Sequence, residues 1–176
     1  MTKDKLPILI GVSACLLGEK VRYDGDHQMS QAVLDLFGER FKPLPICPEL
    51  ETGMPVPREK VGLFGSPATP RMIGLQTGED WTPRMKHYAG TWVRKQNNTS
   101  LGGFILKSRS PSCGLGAVKL FDPAGNVTRA GRGLFASALS EAFPSLPVID
   151  EAMLEQPAAR EEFIRRVLVF SEQTGE

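Results

Sequence analysis

ILIGVSACLLG, from Ile8 to Gly18, is the stretch whose reading decides the fold. Together with Leu6 it is apolar and β-branched up to Ser13, which suits one fully buried strand, and it then closes in the small residues Ser13, Ala14 and Cys15. Working outward, Gln28 to Phe37 carries helical spacing through Met29, Ala32, Val33, Leu36 and Phe37 and is stopped by Gly38. Lys42 to Ile46 is a second strand that leads straight into Cys47. Strand, helix, strand, with a cysteine just past each strand end, is the βαβ pattern of a parallel sheet.

The rest of the chain extends that pattern. Gly103 to Lys107 is a third buried strand, followed after a short polar loop by Cys113, and Leu146 to Ile149 is a last one. Thr82, with Pro83 at the first helical position, starts a helix that runs to about Asn97 with Met85, Ala89 and Trp92 inward. Gly133 to Phe143 is helical, and Asp150 caps a C-terminal helical region interrupted at Pro157. Ala117 to Phe121 and Val127 to Arg129 flank the turn-forming DPAGN and make a small hairpin. From Glu49 to Pro83 the sequence is dense in Gly, Pro and Thr. It is too long for a plain connector and reads as an ordered active-site lid with short strands at Val61 to Phe64 and Arg71 to Leu75. The fold class is therefore α/β with a mainly parallel sheet plus a small hairpin. At 176 residues the expectation is a single domain spanning residues 1–176.

Composition narrows the function. The net charge is +1, from 21 basic and 20 acidic residues, so no global field draws the chain to nucleic acid or to an anionic membrane. No stretch approaches the roughly 20 apolar residues of a membrane span. The apolar run at the N-terminus is short, contains Cys15 and is followed at once by charged residues, unlike a cleaved signal. These features set the expectation of a soluble cytoplasmic protein. In a reducing compartment, three cysteines argue for metal binding or thiol chemistry and against a disulfide framework.

The cysteines lie in ILIGVSACLLG (Cys15), LPICPELETGMPVPR (Cys47) and GGFILKSRSPSCGLG (Cys113), far too widely spread for a zinc finger or a ferredoxin run. Each must be delivered singly. Parallel strands discharge their loops at one carboxyl edge, where an α/β sheet builds its site. A buried cysteine that merely fills space would more often fall inside a strand, whereas these three sit where the backbone turns, beside Gly, Pro and Ser. Three thiolates leave a four-coordinate metal one ligand short, and that open position admits substrate or water. Glu49, two residues after Cys47, is a candidate general base if a confined site raises its pKa, and Glu51 is its natural control. Ser110 precedes Pro111 and also suits a simple turn. Ser13 and Ser112 are candidate donors to sulfur. Arg58, Lys107 and Arg109 add positive charge near the cysteines, and Phe104 and Trp81 are candidates for stacking on a ring, although aromatic residues beside a buried strand are more often core. Neither His27 nor His87 is assigned to metal. No GxGxxG follows the first strand, so a nicotinamide or flavin site is not indicated.

Taken together, SACLLGEKVRYDG (Ser13 to Gly25), CPELETGMPVPR (Cys47 to Arg58) and LKSRSPSCG (Leu106 to Gly114) resemble the thiouracil desulfidase family, from about Leu6 to Thr128 and more weakly beyond. The resemblance implies a Rossmann-like three-layer domain in which Cys15, Cys47 and Cys113 bind a 4Fe-4S cluster whose fourth iron has no protein ligand. It further implies Glu49 and Ser110 as catalytic side chains, and a thiolated pyrimidine, as free base or nucleotide, as the small-molecule partner. Arg22 and Asp24, in the same motif, would then help to bind substrate with Lys107 and Arg109. Two other readings stay open on the residues alone, a three-cysteine zinc hydrolase and a non-enzymatic iron-sulfur sensor.

Overall fold

The computed structural model describes residues 6–96 and 99–174. Four strands, β1 (Ile8–Ser13), β2 (Phe41–Ile46), β5 (Leu101–Leu106) and β8 (Val148–Asp150), form a sheet in the order β2-β1-β5-β8. Every neighbouring pair in it is parallel. The central strand β5, LGGFIL, is buried at all six positions, as a strand covered on both faces must be. Pro43 and Pro45 of β2 have no amide to donate, which suits the edge that β2 occupies and discourages further pairing there.

Side chains alternate across this sheet into two cores. Ile10, Val12 and Ile105 join Leu154, Phe163 and Val167, so one face is covered by α5 (Glu151–Leu154) and α6 (Pro157–Thr174). Phe104 and Leu106 point the other way, to α3 (Thr82–Lys95) and α4 (Leu134–Ala142). There Phe104 meets Trp92 and Phe135 edge to face, with ring centroids 5.8 Å away in each case. Phe104 is fully buried, so removing its ring would cost about 3–5 kcal/mol. A side chain on Gly11 would overlap that ring, which is why β1 carries glycine at its middle. The result is the three-layer α/β arrangement expected.

Two expectations change in detail. The helix expected from Gln28 is only one turn, α1 (Gln31–Leu34), because the Gln28 and Ser30 amides donate to the Cys15 and Leu16 carbonyls and are committed to the neighbouring turn. The strands within Glu49–Pro83 are real, β3 (Val61–Ser66) and β4 (Thr69–Gly74), but they are not a lid. They pair with each other and, through β3, with the expected hairpin of β6 (Val118–Phe121) and β7 (Val127–Gly131), giving a second four-stranded sheet in the order β4-β3-β6-β7. Leu63, Met72, Val118 and Leu120 anchor that sheet in the same core as α3 and α4, and no residue of β3 or β4 lines the cleft, so the sheet is part of the packed body and not a cover. The helix α3 is described to Lys95, and its expected end at Asn97 lies outside the described residues.

Candidate active site

All four parallel strands end at the same edge, and each delivers chemistry there. After β1 the chain makes a 3-10 turn, Ala14–Leu17, that holds Cys15, closed by Gly18 at φ 93°, a left-handed conformation that glycine adopts freely. After β2, Cys47 is the N-cap of a one-turn helix, α2 (Pro48–Glu51), with Pro48 at its first position, where a missing amide costs nothing. After β5 comes the loop from Lys107 to Cys113. Its last carbonyls cap α4, since Pro111 accepts from Leu134 N (3.1 Å) and Ser112 from Phe135 N (3.0 Å), amides that have no acceptor within the helix. After β8 comes Glu151, the first residue of α5.

The first three of these loops wall a cleft of about 370 Å³, and Cys15, Cys47 and Cys113 all line it. None is in a disulfide. Burial pushes all three thiols up, Cys15 to about 11 with help from the nearby charge of Cys47, while Lys107 and Arg22 pull Cys15 the other way. Protons or a cationic centre must therefore hold these sulfurs. Cys113 also takes a hydrogen bond from Ser13, which favours its thiolate.

Glu49 lies on the cleft wall, and its surroundings differ from the apolar pocket expected of a neutral acid. Arg58 donates twice to Oε2, from Nε (3.0 Å) and Nη2 (2.6 Å), and the buried Ser112 hydroxyl donates to Oε1 (2.7 Å). Arg58 is itself buried in the wall, with its amide bonded to the Tyr23 carbonyl (2.9 Å) and Nη1 to the Pro55 carbonyl (3.2 Å). Arg58 thus belongs to Glu49 and is no free cation, and Ser112 serves Glu49 where a donor to sulfur was expected. The Ser110 hydroxyl oxygen accepts from the amides of Ser112 (3.2 Å) and Cys113 (3.0 Å), a turn that fixes the cysteine and leaves the hydroxyl proton free to face the cleft.

Of the remaining residues, Arg22, Lys107 and Arg109 line the cleft. Asp24 does not; it faces Arg22 at 3.8 Å and accepts the Asp26 amide (3.1 Å). Lys107 is fully engaged, its ammonium donating to Glu151 Oε1, to the Ser108 carbonyl (3.2 Å) and to the Ser108 hydroxyl (3.1 Å). Arg109 is exposed, at φ 59°, with no ion-pair partner among the described residues. Phe104 and Trp81 are core, and neither histidine lines the cleft. Tyr23, expected with Arg22 and Asp24 of the same motif to shape the pocket or hold its loop, lines it as well, and so does Gln28, for which no role was expected. The carboxylate that sequence reasoning missed is Glu151, whose only signal was its position one residue past a parallel strand.

Comparison with known proteins agrees with this geometry. The uncharacterized protein YbbK of Bacillus subtilis (strain 168) is 32% identical over 139 residues, covering 76% of this chain and 87% of its own. Among solved structures, a [4Fe-4S]-dependent thiouracil desulfidase, TudS, superposes with a TM-score of 0.67 at 30% identity, over 90% of this chain and 99% of that one. The profile of the 2-thiouracil desulfurase family matches residues 10–151, a span that opens in β1 and closes on Glu151, and the chain belongs to that family.

Proposed function

We propose that this protein is a thiouracil desulfidase that replaces the sulfur of a thiolated pyrimidine with oxygen, using a 4Fe-4S cluster held by Cys15, Cys47 and Cys113. The observation that carries the reading is the convergence of three free thiols on one cleft beside a paired carboxylate. The donor set fits such a cluster: soft sulfurs, three in number, in a pocket where bare thiolates are disfavoured. A single zinc would need its sulfurs about 3.8 Å apart, from Zn–S bonds of about 2.3 Å. Among the described residues no three His, Cys, Asp or Glu side chains are gathered to hold one ion. When bound, the cluster supplies an iron without a protein ligand, a soft Lewis acid matched to a thiocarbonyl sulfur.

The reaction balances as thiocarbonyl plus water giving carbonyl plus hydrogen sulfide, with no net oxidation or reduction. Water must lose one proton as its oxygen bonds to the ring carbon and the second as the carbonyl forms, and both must reach the departing sulfur. Glu49 Oε1 has one partner and a lone pair to spare, whereas Oε2 is committed twice to Arg58, so Oε1 is the atom that takes the proton. Ser110 offers its hydroxyl proton to the ring edge. Arg109 and Arg22 are the cations available for a nucleotide phosphate, because Lys107 has no donor left. A sensor would have no use for a base so placed.

The test is anaerobic incubation with 2-thiouracil, 4-thiouracil and their monophosphates, following thiocarbonyl absorbance and released sulfide. One sulfide per oxo base is expected, from a brown protein with close to four irons. A colourless protein with stoichiometric zinc after anaerobic reconstitution, and no sulfide release, would overturn the proposal.

A further inference from the structure

We propose that Glu151 is a positioning residue of this site, the strut that holds the loop from Lys107 to Cys113 against the cleft. For its kinetic consequence the proposal rests on the desulfidase reading above. Glu151 does not line the cleft; it lies behind the wall, almost fully buried. From there its carboxylate takes three hydrogen bonds from two consecutive residues of the loop. Oε2 accepts the Ser108 amide (2.7 Å), and Oε1 accepts the Ser108 hydroxyl (2.8 Å) and the Lys107 ammonium. Burial works against its charge, yet the Lys107 and Ser108 bonds outweigh that, and its carboxyl titrates below the ordinary range.

The loop needs such a hold. Arg109 lies in the left-handed region at φ 59°, which a residue with a side chain occupies only when its neighbours over-determine it. On one side Glu151 fixes Lys107 and Ser108, and Ser13 Oγ accepts the Lys107 amide (2.9 Å). On the other side the Ser110 turn and the α4 cap fix Ser112 and Cys113. Between these clamps Arg109 and Ser110 are aimed at the cleft. Without Glu151 the clamp at Cys113 remains, while among the described residues the leading half of the loop is tied only by Ser13.

The experiment compares wild type, Glu151→Gln and Glu151→Asp as full-length protein. Glutamine can still accept the Ser108 amide but offers a donor where Lys107 and the Ser108 hydroxyl need an acceptor. The expected result is hydrogen exchange faster by roughly tenfold or more at Ser108 to Ser110, confined to that loop. Iron content should be unchanged and KM for the free base, which has no phosphate for Arg109 to hold, within about twofold, with kcat lower by roughly 10- to 100-fold, the range typical of groups that orient a functional side chain. Glu151→Asp should recover part of kcat. A lower melting temperature with wild-type kcat and wild-type loop exchange would make Glu151 a stability residue only and overturn the proposal. If Glu151→Gln does not fold, Lys107→Met with Glu151→Leu removes both charges at once. Wild-type kcat in that double variant overturns the proposal, and a fall in kcat at intact iron content supports it. Should wild type release no sulfide from any thiouracil, the desulfidase reading fails, while the exchange comparison still decides whether Glu151 holds the loop.

Discussion

Glu49 and Glu151 are near twins in their bonding and opposites in their placement. Each follows a parallel strand of the same sheet, each accepts three hydrogen bonds, and each pairs with one cation, Arg58 or Lys107. Only Glu49 lines the cleft. Glu49 ties two separate loops together through Arg58 and Ser112, whereas all of Glu151's bonds go to one loop. A paired carboxylate at the carboxyl edge is thus not in itself a catalytic mark; what separates the two proposed roles is which side of the cleft wall the oxygen faces.

The sharpest break of this comparison is to remove what the wall encloses. Cys15→Ala, Cys47→Ala and Cys113→Ala should each abolish iron binding and turnover, as measured by iron analysis and the visible spectrum after anaerobic reconstitution; a variant that keeps full iron would remove that cysteine from the ligand set. Next in size, Glu49→Gln keeps the size of the side chain and should load iron normally while turnover falls by roughly 10²- to 10⁴-fold. Glu51→Gln, on an exposed turn two residues on, should leave turnover within about twofold of wild type, inside the small range of ordinary surface changes. Equal effects of the two would deny Glu49 its role. Smaller again, Arg58→Lys preserves charge but loses the two-pronged grip on Oε2, and a roughly tenfold fall in kcat is expected. Unaltered kinetics there would mean that Glu49 needs no fixed partner.

The smallest effect is on stability, far from the cleft. Thr82 and then Arg71 hydrogen-bond Asp80 and hold its carboxyl down at about 2, against about 3.9 in an unfolded chain. A depressed carboxylate contributes stability above its unfolded pKa and loses it as pH falls through its folded one. Wild type should therefore be more stable than Asp80→Asn above pH about 4, with the gap closing towards pH about 2. Urea melts that show the same gap at pH 6 and pH 2 would contradict this.

Much of this was legible in the chain because parallel-sheet geometry is local. An apolar run ending in small residues announces a strand and its exit, and that rule alone puts the three cysteines at one edge. What could not be read was pairing between distant segments. The carboxylate of Glu49 and the guanidinium of Arg58 are close in sequence, yet nothing in CPELETGMPVPR says that the loop folds back on itself. Glu151 was invisible for a different reason. Its cue was the strand-exit rule already applied to the cysteines, and a glutamate at a helix start has an ordinary explanation as a first-turn acid. The strands of the second sheet were legible one by one, but not their union, because β3 and β6 pair across more than fifty positions and no local pattern signals that.

The order of strands in the parallel sheet, β2-β1-β5-β8, also sets a timetable for biosynthesis. Cys15 and Cys47 leave the ribosome with β1 and β2, but the strand that completes their cradle is β5, and Cys113 follows it. At elongation rates of about 5–20 residues per second, Cys47 waits roughly 3 to 13 s for Cys113 and Cys15 roughly 5 to 20 s, and both wait somewhat longer for Glu151. During that interval the nascent chain exposes two unprotected sulfurs and half a sheet, a state open to oxidation and to adventitious metals. Any group held by all three sulfurs can therefore be completed only after Cys113 has emerged, late in synthesis.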